Sequence, residues 1–249
     1  MALRAVLFDL DGTLWGDAPG WKGDEADFAR LTELEARRLA PVFSEAGVRL
    51  DPLAVSSEFW SFARRREGEE AASLGAPNGP GLLAEFLAAK GTRLEAPWLL
   101  AAWEALDVPA REYGRALFPD TAATLERLGQ RGLAMAVVSN RLNGAGALSA
   151  DFEELGIRQH FQAIVCSSQV GRRKPHAAVF ERALKDLGVS ATEAVMVGDS
   201  FENDVRGARA LGMTAVLKLN GREPTAEESH EADHLIQDLS ELLELPFLR

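Results

Sequence analysis

The sequence predicts an α/β protein, a doubly wound and mostly parallel sheet of Rossmann-like layout, interrupted by an inserted all-α helical bundle. Three observations carry this. Short runs at Leu3–Phe8, Leu133–Val138, Ala163–Cys166, Ala194–Val197 and Thr214–Leu217 are hydrophobic throughout save for Arg4 and Thr214, as strands covered on both faces are. After Phe118-Pro119 these runs alternate with helix-period segments. Between the first run and the second lie about a hundred residues of helical patterning, far more than a plain crossover between parallel strands needs.

The elements follow in order. Leu3–Phe8 is the first strand and ends in Asp9-Leu10-Asp11-Gly12-Thr13. The tract near Gly16–Arg115 then reads as helices. Asp24–Ala46 carries Phe28, Leu31, Leu34, Leu39, Val42 and Phe43 near helical spacing and closes at Gly47. Asp51-Pro52 opens a second helix ending near Gly75, Pro77–Gly81 reads as a loop, and Leu82–Ala89 and Pro97–Leu106 are two shorter helices. All five tryptophans lie in this tract or at its mouth, where helical packing is the favoured use of most, and Arg64-Arg65-Arg66 reads as a solvated face. Beyond Pro119 the expectation is a helix at Asp120–Gln130, a strand ending at Ser139-Asn140, a helix stopping at Gly156, and a strand leading to Lys174. Pro175 is expected at the first position of a helix running to Leu187. A strand ending in Gly198-Asp199, a helix at Glu202–Leu211, an exposed loop at Glu223–Asp233, a strand at His234–Ile236 and a helix to Leu245 complete the chain. The expected domains are residues 1–15 with 116–249 as an α/β core and 16–115 as a helical insertion.

Composition narrows the function. A formal charge of -11 argues against nucleic acid or an anionic membrane as partner. No run approaches a membrane span, and the N-terminus lacks the layout of a secretion signal, so the expected location is the cytoplasm. The single cysteine, Cys166, lies in an apolar run and reads as a small core residue. Oligomeric state is left open.

Asp9, Ser139, Lys174 and Asp199 each stand at or just after the C-terminal end of an expected strand, and parallel strands bring such ends to one edge, where α/β sheets bind ligands. Two carboxylates about 4 Å apart repel by about 4 kcal/mol at an effective dielectric of about 20, so Asp9, Asp11, Asp199 and Asp204 require a cation among them. Oxygen-only ligands without histidine or thiol favour a hard ion that keeps waters and meets phosphate, most naturally Mg²⁺. Lys174 adds positive charge, and the Ser139 hydroxyl offers a hold on phosphoryl oxygens.

Taken together, Asp9-Leu10-Asp11-Gly12-Thr13, Val137-Val138-Ser139-Asn140, Lys174-Pro175 and Gly198-Asp199-Ser200-Phe201-Glu202-Asn203-Asp204 resemble, in order, the four motifs of the haloacid dehalogenase superfamily of phosphohydrolases. The insertion resembles the cap of the subgroup with a small helical-bundle lid. The resemblance implies a nucleophile at Asp9, a general acid and base at Asp11, phosphoryl binding by Ser139, Asn140 and Lys174, and Mg²⁺ held by Asp9, the backbone carbonyl of Asp11, Asp199 and Asp204. It implies a Mg²⁺-dependent phosphatase acting on a small phosphorylated metabolite. A sugar-phosphate mutase and a 2-haloacid dehalogenase are the alternatives on the same fold. The dehalogenase needs no metal and gives Asp11 no proton to deliver.

Overall fold

The computed structural model describes residues 3–248. The chain forms two compact units, residues 1–16 with 116–249, and residues 17–115.

In the first unit, β1 (Ala5–Phe8) is wholly buried and central, as its unbroken apolar sequence requires. The short strands β2 (Trp15–Asp17) and β3 (Arg115–Leu117) pair as a ribbon where the chain leaves and re-enters this unit. The main sheet continues with β4 (Ala134–Ser139), β5 (Ala163–Cys166), β6 (Ala194–Gly198), β7 (Thr214–Lys218) and β8 (His234–Ile236). Its order is β5-β4-β1-β6-β7-β8 and every pairing is parallel. The strand order therefore reverses at β1, between β4 and β6, which is where a doubly wound sheet opens a crevice at its carboxyl edge. Cys166 is buried at the end of β5, level with Ser139.

The second unit consists of α1 (Glu25–Glu45), α2 (Pro52–Glu70), α3 (Gly79–Ala89) and α4 (Ala96–Leu106). Asp24 caps α1, its side chain accepting from Ala26 and Asp27 N-H at 3.1 Å. Phe59 is the aromatic centre, edge-on to Trp60, Phe86 and Trp103 at 5.1, 5.7 and 6.1 Å, so these tryptophans serve packing. Phe28, expected on the apolar face of α1, is instead 54% exposed. Glu35 sits in this interior at 2% exposure. Its carboxylate accepts from Ser56 Oγ, from Trp60 Nε1 at 2.8 Å and from Tyr113 OH at 3.2 Å.

Five expectations about elements are corrected. Gly79–Gly81 is the first turn of α3 and not loop, because the Asn78 side chain accepts from Gly81 N-H at 2.7 Å and Pro80 suits a first turn. Between β3 and β8 lie α5 (Thr121–Gln130), α6 (Ala145–Glu154), α7 (Ser167–Val170), α8 (Ala177–Leu187), α9 (Gly207–Ala210) and α10 (Ala226–Glu231). Pro175 is not the first residue of α8: it follows a cis Lys174–Pro175 bond, and His176 is the cap, its Nδ1 accepting from Ala178 N-H at 3.1 Å. The supposed loop Glu223–Asp233 contains α10, started by a reciprocal cap in which Glu228 N-H donates to Thr225 Oγ1 and Thr225 N-H to Glu228 Oε2. Finally, Glu202–Leu211 opens as a wide π turn, Phe201–Arg206, before tightening into α9, and the segment expected to run as a helix to Leu245 is a 3₁₀ stretch, Leu239–Glu244. No helix among the described residues is long and apolar enough to cross a membrane.

Burial, opposed by the three donors and Arg38, raises the Glu35 pKa above 4.5. The folded state thus holds this proton more tightly than the unfolded chain, so the Glu35 contribution to stability falls as pH rises from 4.5 through the folded pKa. The expected outcome is that the melting temperature of the native protein minus that of Glu35→Gln declines from pH 4.5 towards neutrality. A constant or rising difference contradicts it.

Candidate active site

A cleft of about 460 Å³ lies at the carboxyl edge of the sheet, lined by Asp9, Asp11, Ser139, Asn140, Lys174, Asp199, Ser200, Asn203 and Asp204. Every residue singled out in the sequence thus reaches one place.

Asp9 leaves β1 with its N-H donating to Val197 O of β6 at 2.8 Å, which fixes the backbone on the rim. Lys174 is its principal partner. The ammonium is 2% exposed and donates to Asp9 Oδ1 at 2.5 Å and to Asp204 Oδ1 at 2.7 Å. Burial alone would lower its pKa, but Asp204 and Asp9 outweigh that and hold it above the ordinary lysine range. Asn140 anchors the lysine backbone: its Oδ1 accepts from Lys174 N-H at 2.7 Å and its Nδ2 donates to Lys174 O at 3.2 Å. Both ends of the Asn140 carboxamide are thus engaged in positioning Lys174.

Asp204 is fully buried. Its Oδ2 accepts from Ser200 N-H at 3.0 Å while Oδ1 holds Lys174. The π turn makes this possible by returning Asp204 over the residue that ends the strand, with Asp204 N-H donating to Ser200 O at 2.8 Å. Gly198 must lack a side chain, because a Cβ there would come 2.2 Å from Asp204 Oδ2. Burial pushes Asp204 up to about 7 against the pull of Lys174.

Asp199 follows β6 beside the first loop. Gly12, at φ +76°, leaves the room it needs, since a Cβ there would fall 2.1 Å from Asp199 Oδ2. The Gly12 N-H donates to Trp15 O at 2.8 Å, closing the turn. Burial and then the charge of Asp9 push Asp199 up to about 6. Asp9, Asp199 and Asp204 each offer an oxygen within 4.8 Å of the others. Against the one positive charge of Lys174, the three carboxylates leave an excess that a divalent ion supplies, and oxygen-only donors suit a hard cation such as Mg²⁺. The donor set therefore fits such an ion in its chemistry.

The Asp11 side chain lies outside that carboxylate cluster. Its Oδ1 accepts from Trp15 Nε1 at 2.8 Å, and its Oδ2 lies 3.9 Å from Arg141. Ser139 ends β4 at 3% exposure with its side chain on the cleft.

Four contributors were not singled out from the sequence. Trp15, one of five tryptophans of which most were expected to pack, holds Asp11. Lys218, 2% exposed at the end of β7, and Asn220 both donate to the Gly12 carbonyl, at 3.4 and 2.9 Å, so they clamp the first loop from behind. Lys218 also stands 3.8 Å from the centre of the Phe118 ring, and burial lowers its pKa. The signal was available, as Lys218 ends a predicted strand like the others. Asn203, whose Nδ2 donates to Ser200 Oγ at 2.9 Å, had none beyond its place in the fourth motif.

Removing one partner of a buried ion pair leaves the other uncompensated, at a cost of about 3 kcal/mol. Asp204→Ala is expected to lower the unfolding free energy by about that much in denaturant titrations. Arg37→Ala, which breaks an exposed pair with Glu33, costs about 0.5 kcal/mol or less. Equal losses would contradict the assignment of Lys174 and Asp204 as the buried keystone.

A family model described as haloacid dehalogenase-like hydrolase matches residues 3–212. Among curated proteins, a phosphoserine phosphatase of Thermus thermophilus is 32% identical over 96% of this chain and 98% of its own. A phosphoglycolate phosphatase of Rhodospirillum rubrum is 32% identical over 90% and 83%. Among solved structures, a 2-haloacid dehalogenase from Pseudomonas syringae pv. Tomato DC3000 has a TM-score of 0.66 at 24% identity, with 97% of each chain covered. A HAD phosphatase from Thermococcus onnurineus has a TM-score of 0.58 at 24% identity and the same coverage. Both share the fold of this chain.

Proposed function

The chain belongs to the haloacid dehalogenase-like hydrolases, and from that premise we propose that it is a Mg²⁺-dependent phosphatase of small phosphomonoesters. The observation that carries the reading is the division of labour between two carboxylates on one loop. Asp9 is drawn into the cluster with Lys174, and Asp11 is held apart by Trp15. A nucleophile and a proton carrier need that division.

In this reading Asp9 attacks phosphorus, an O–P bond forms on its carboxylate, and the ester O–P bond breaks. Asp11 delivers its proton to the leaving alkoxide. Asp11 then takes a proton from the water that attacks the aspartyl-phosphate, which releases phosphate and restores Asp9. Lys174 orients one Asp9 oxygen and offsets charge spread over the phosphoryl oxygens, which the Ser139 hydroxyl also meets. Asp9 and Asp199 would hold Mg²⁺, with the Asp11 carbonyl. Asp204, both of whose oxygens are engaged, serves chiefly to hold Lys174. When bound, the ion neutralises the cluster and the phosphoryl charge. We assign the inserted helices, residues 16–115, as a cap that selects the leaving group and excludes water.

The relatives named phosphoserine phosphatase and phosphoglycolate phosphatase support this class of substrate. The likeness to a 2-haloacid dehalogenase speaks to fold. Displacement at carbon needs neither the proton carried by Asp11 nor the excess negative charge of Asp9, Asp199 and Asp204.

A panel of small phosphate esters assayed for free phosphate tests the reading. Turnover is expected with Mg²⁺, is abolished by EDTA, and falls at least about a thousandfold in Asp9→Asn. Undiminished turnover by Asp9→Asn contradicts nucleophilic catalysis by that residue. Halide release from 2-haloacids in EDTA, without phosphate release from any ester, contradicts the phosphatase.

A further inference from the structure

Arg141 directly follows Ser139-Asn140, and neither its packing nor the reaction above accounts for how its side chain is held. The guanidinium carbon lies 5.5 Å from the centre of the Trp15 ring, within cation–π range. Trp15 is itself immobilised: it is fully buried, meets Phe152 edge-on at 5.9 Å and donates to Asp11. At the other end, the Arg141 carbonyl accepts from Ser167 Oγ at 3.2 Å and Ser168 N-H at 3.3 Å. Both ends of the residue are therefore anchored.

Among the described residues the guanidinium has one charged neighbour, Asp11, and its hydrogen-bonding capacity is unspent. The approach to Asp11 Oδ2, at 3.9 Å, is too long for a hydrogen bond, and the guanidinium donates none among the described residues. Its side chain is 22% exposed, enough for a ligand to reach it. A planar fork of donors, held in place but without an acceptor, matches a carboxylate or phosphate group, and holding it in advance removes much of the entropic cost of binding.

Its position says which part of a substrate it meets. Arg141 does not line the cleft around Lys174, Ser139 and the carboxylate cluster, so it lies apart from the phosphoryl group. It stands beside Asp11, the residue that meets the leaving oxygen in the reading above, on which this inference rests. We propose that Arg141 binds an anionic group, carboxylate or second phosphate, on the alcohol half of the ester, close to the bridging oxygen. Such a contact is made equally in the ground and transition states, so it acts on KM and leaves kcat in place.

The test compares three two-carbon phosphate esters with Mg²⁺: 2-phosphoglycolate, ethylene glycol bisphosphate and ethylene glycol monophosphate, the last with an uncharged alcohol half and called the uncharged ester below. Arg141→Gln is expected to raise KM about tenfold to a hundredfold for one or both charged esters, to leave the uncharged ester within about threefold, and to keep kcat. The ester that responds more identifies the anion, and Arg141→Lys should restore part of the loss. An equal fall in kcat on all three esters overturns the proposal, because Arg141 would then act through Asp11. Unchanged constants on all three overturn it as well. In either case metal-dependent turnover of the uncharged ester by the native protein leaves the phosphatase reading standing, whereas no turnover of any of the three by the native protein defeats both.

Discussion

The site depends on one buried ammonium. Lys174 gives up its hydration to stand between Asp9 and Asp204, a step that costs several kcal/mol and is offset only where geometry is close and every donor is used. Much of the surrounding structure follows from that demand. Asn140 fixes the lysine backbone, the π turn after β6 lays Asp204 over Ser200, and Gly198 gives up its side chain to admit the Asp204 carboxylate. With Asp204 so occupied, the pair Asp9 and Asp199 remains open towards the cleft. Burial beside Asp9 lifts Asp199 to about 6, as expected of a carboxylate arranged for a cation.

Sheet topology brings these groups together across 165 residues of chain. The order β5-β4-β1-β6-β7-β8 puts β1 where the winding reverses, so the carboxyl ends of β4, β1 and β6 open onto one crevice. Asp9, Ser139 and Asp199 occupy those ends. The next strand takes part from behind, because Lys218 and Asn220, at and just beyond the end of β7, hold the Gly12 carbonyl and with it the loop that carries Asp11. The loop is thus held by elements on both flanks. Asp9 and Asp11 can then face different tasks although one residue separates them.

What was legible in the sequence is what depends on strand ends. Apolar runs reveal buried strands, and polar residues closing such a run or shortly following it belong to the rim, so Asp9, Ser139, Lys174 and Asp199 gather from the sequence alone. Less legible was what each side chain spends its polar atoms on. Nothing in Ser139-Asn140 reveals that the amide turns to Lys174, and nothing in Trp15 distinguishes a packing indole from one that donates to Asp11. Those outcomes depend on backbone direction over one or two residues, which spacing rules do not fix. Other misses left a readable trace. Thr225 to Glu228 is a reciprocal cap in plain sequence, hidden by the acidic character of Glu223–Asp233, and Asn78 before Gly79-Pro80-Gly81 marks a helix start that composition disguised as a loop. Local capping chemistry outweighed composition in both cases.

The central claim is that the carboxylates of residues 9 and 199 are gathered around one hard divalent ion beside Lys174. Anomalous diffraction from crystals soaked in Mn²⁺ tests it most directly. The account predicts a peak within about 2.0–2.3 Å of an oxygen from both Asp9 and Asp199, absent from crystals of Asp199→Asn. Crystals in which Mn²⁺ binds elsewhere, or binds at this edge without either carboxylate, would contradict it.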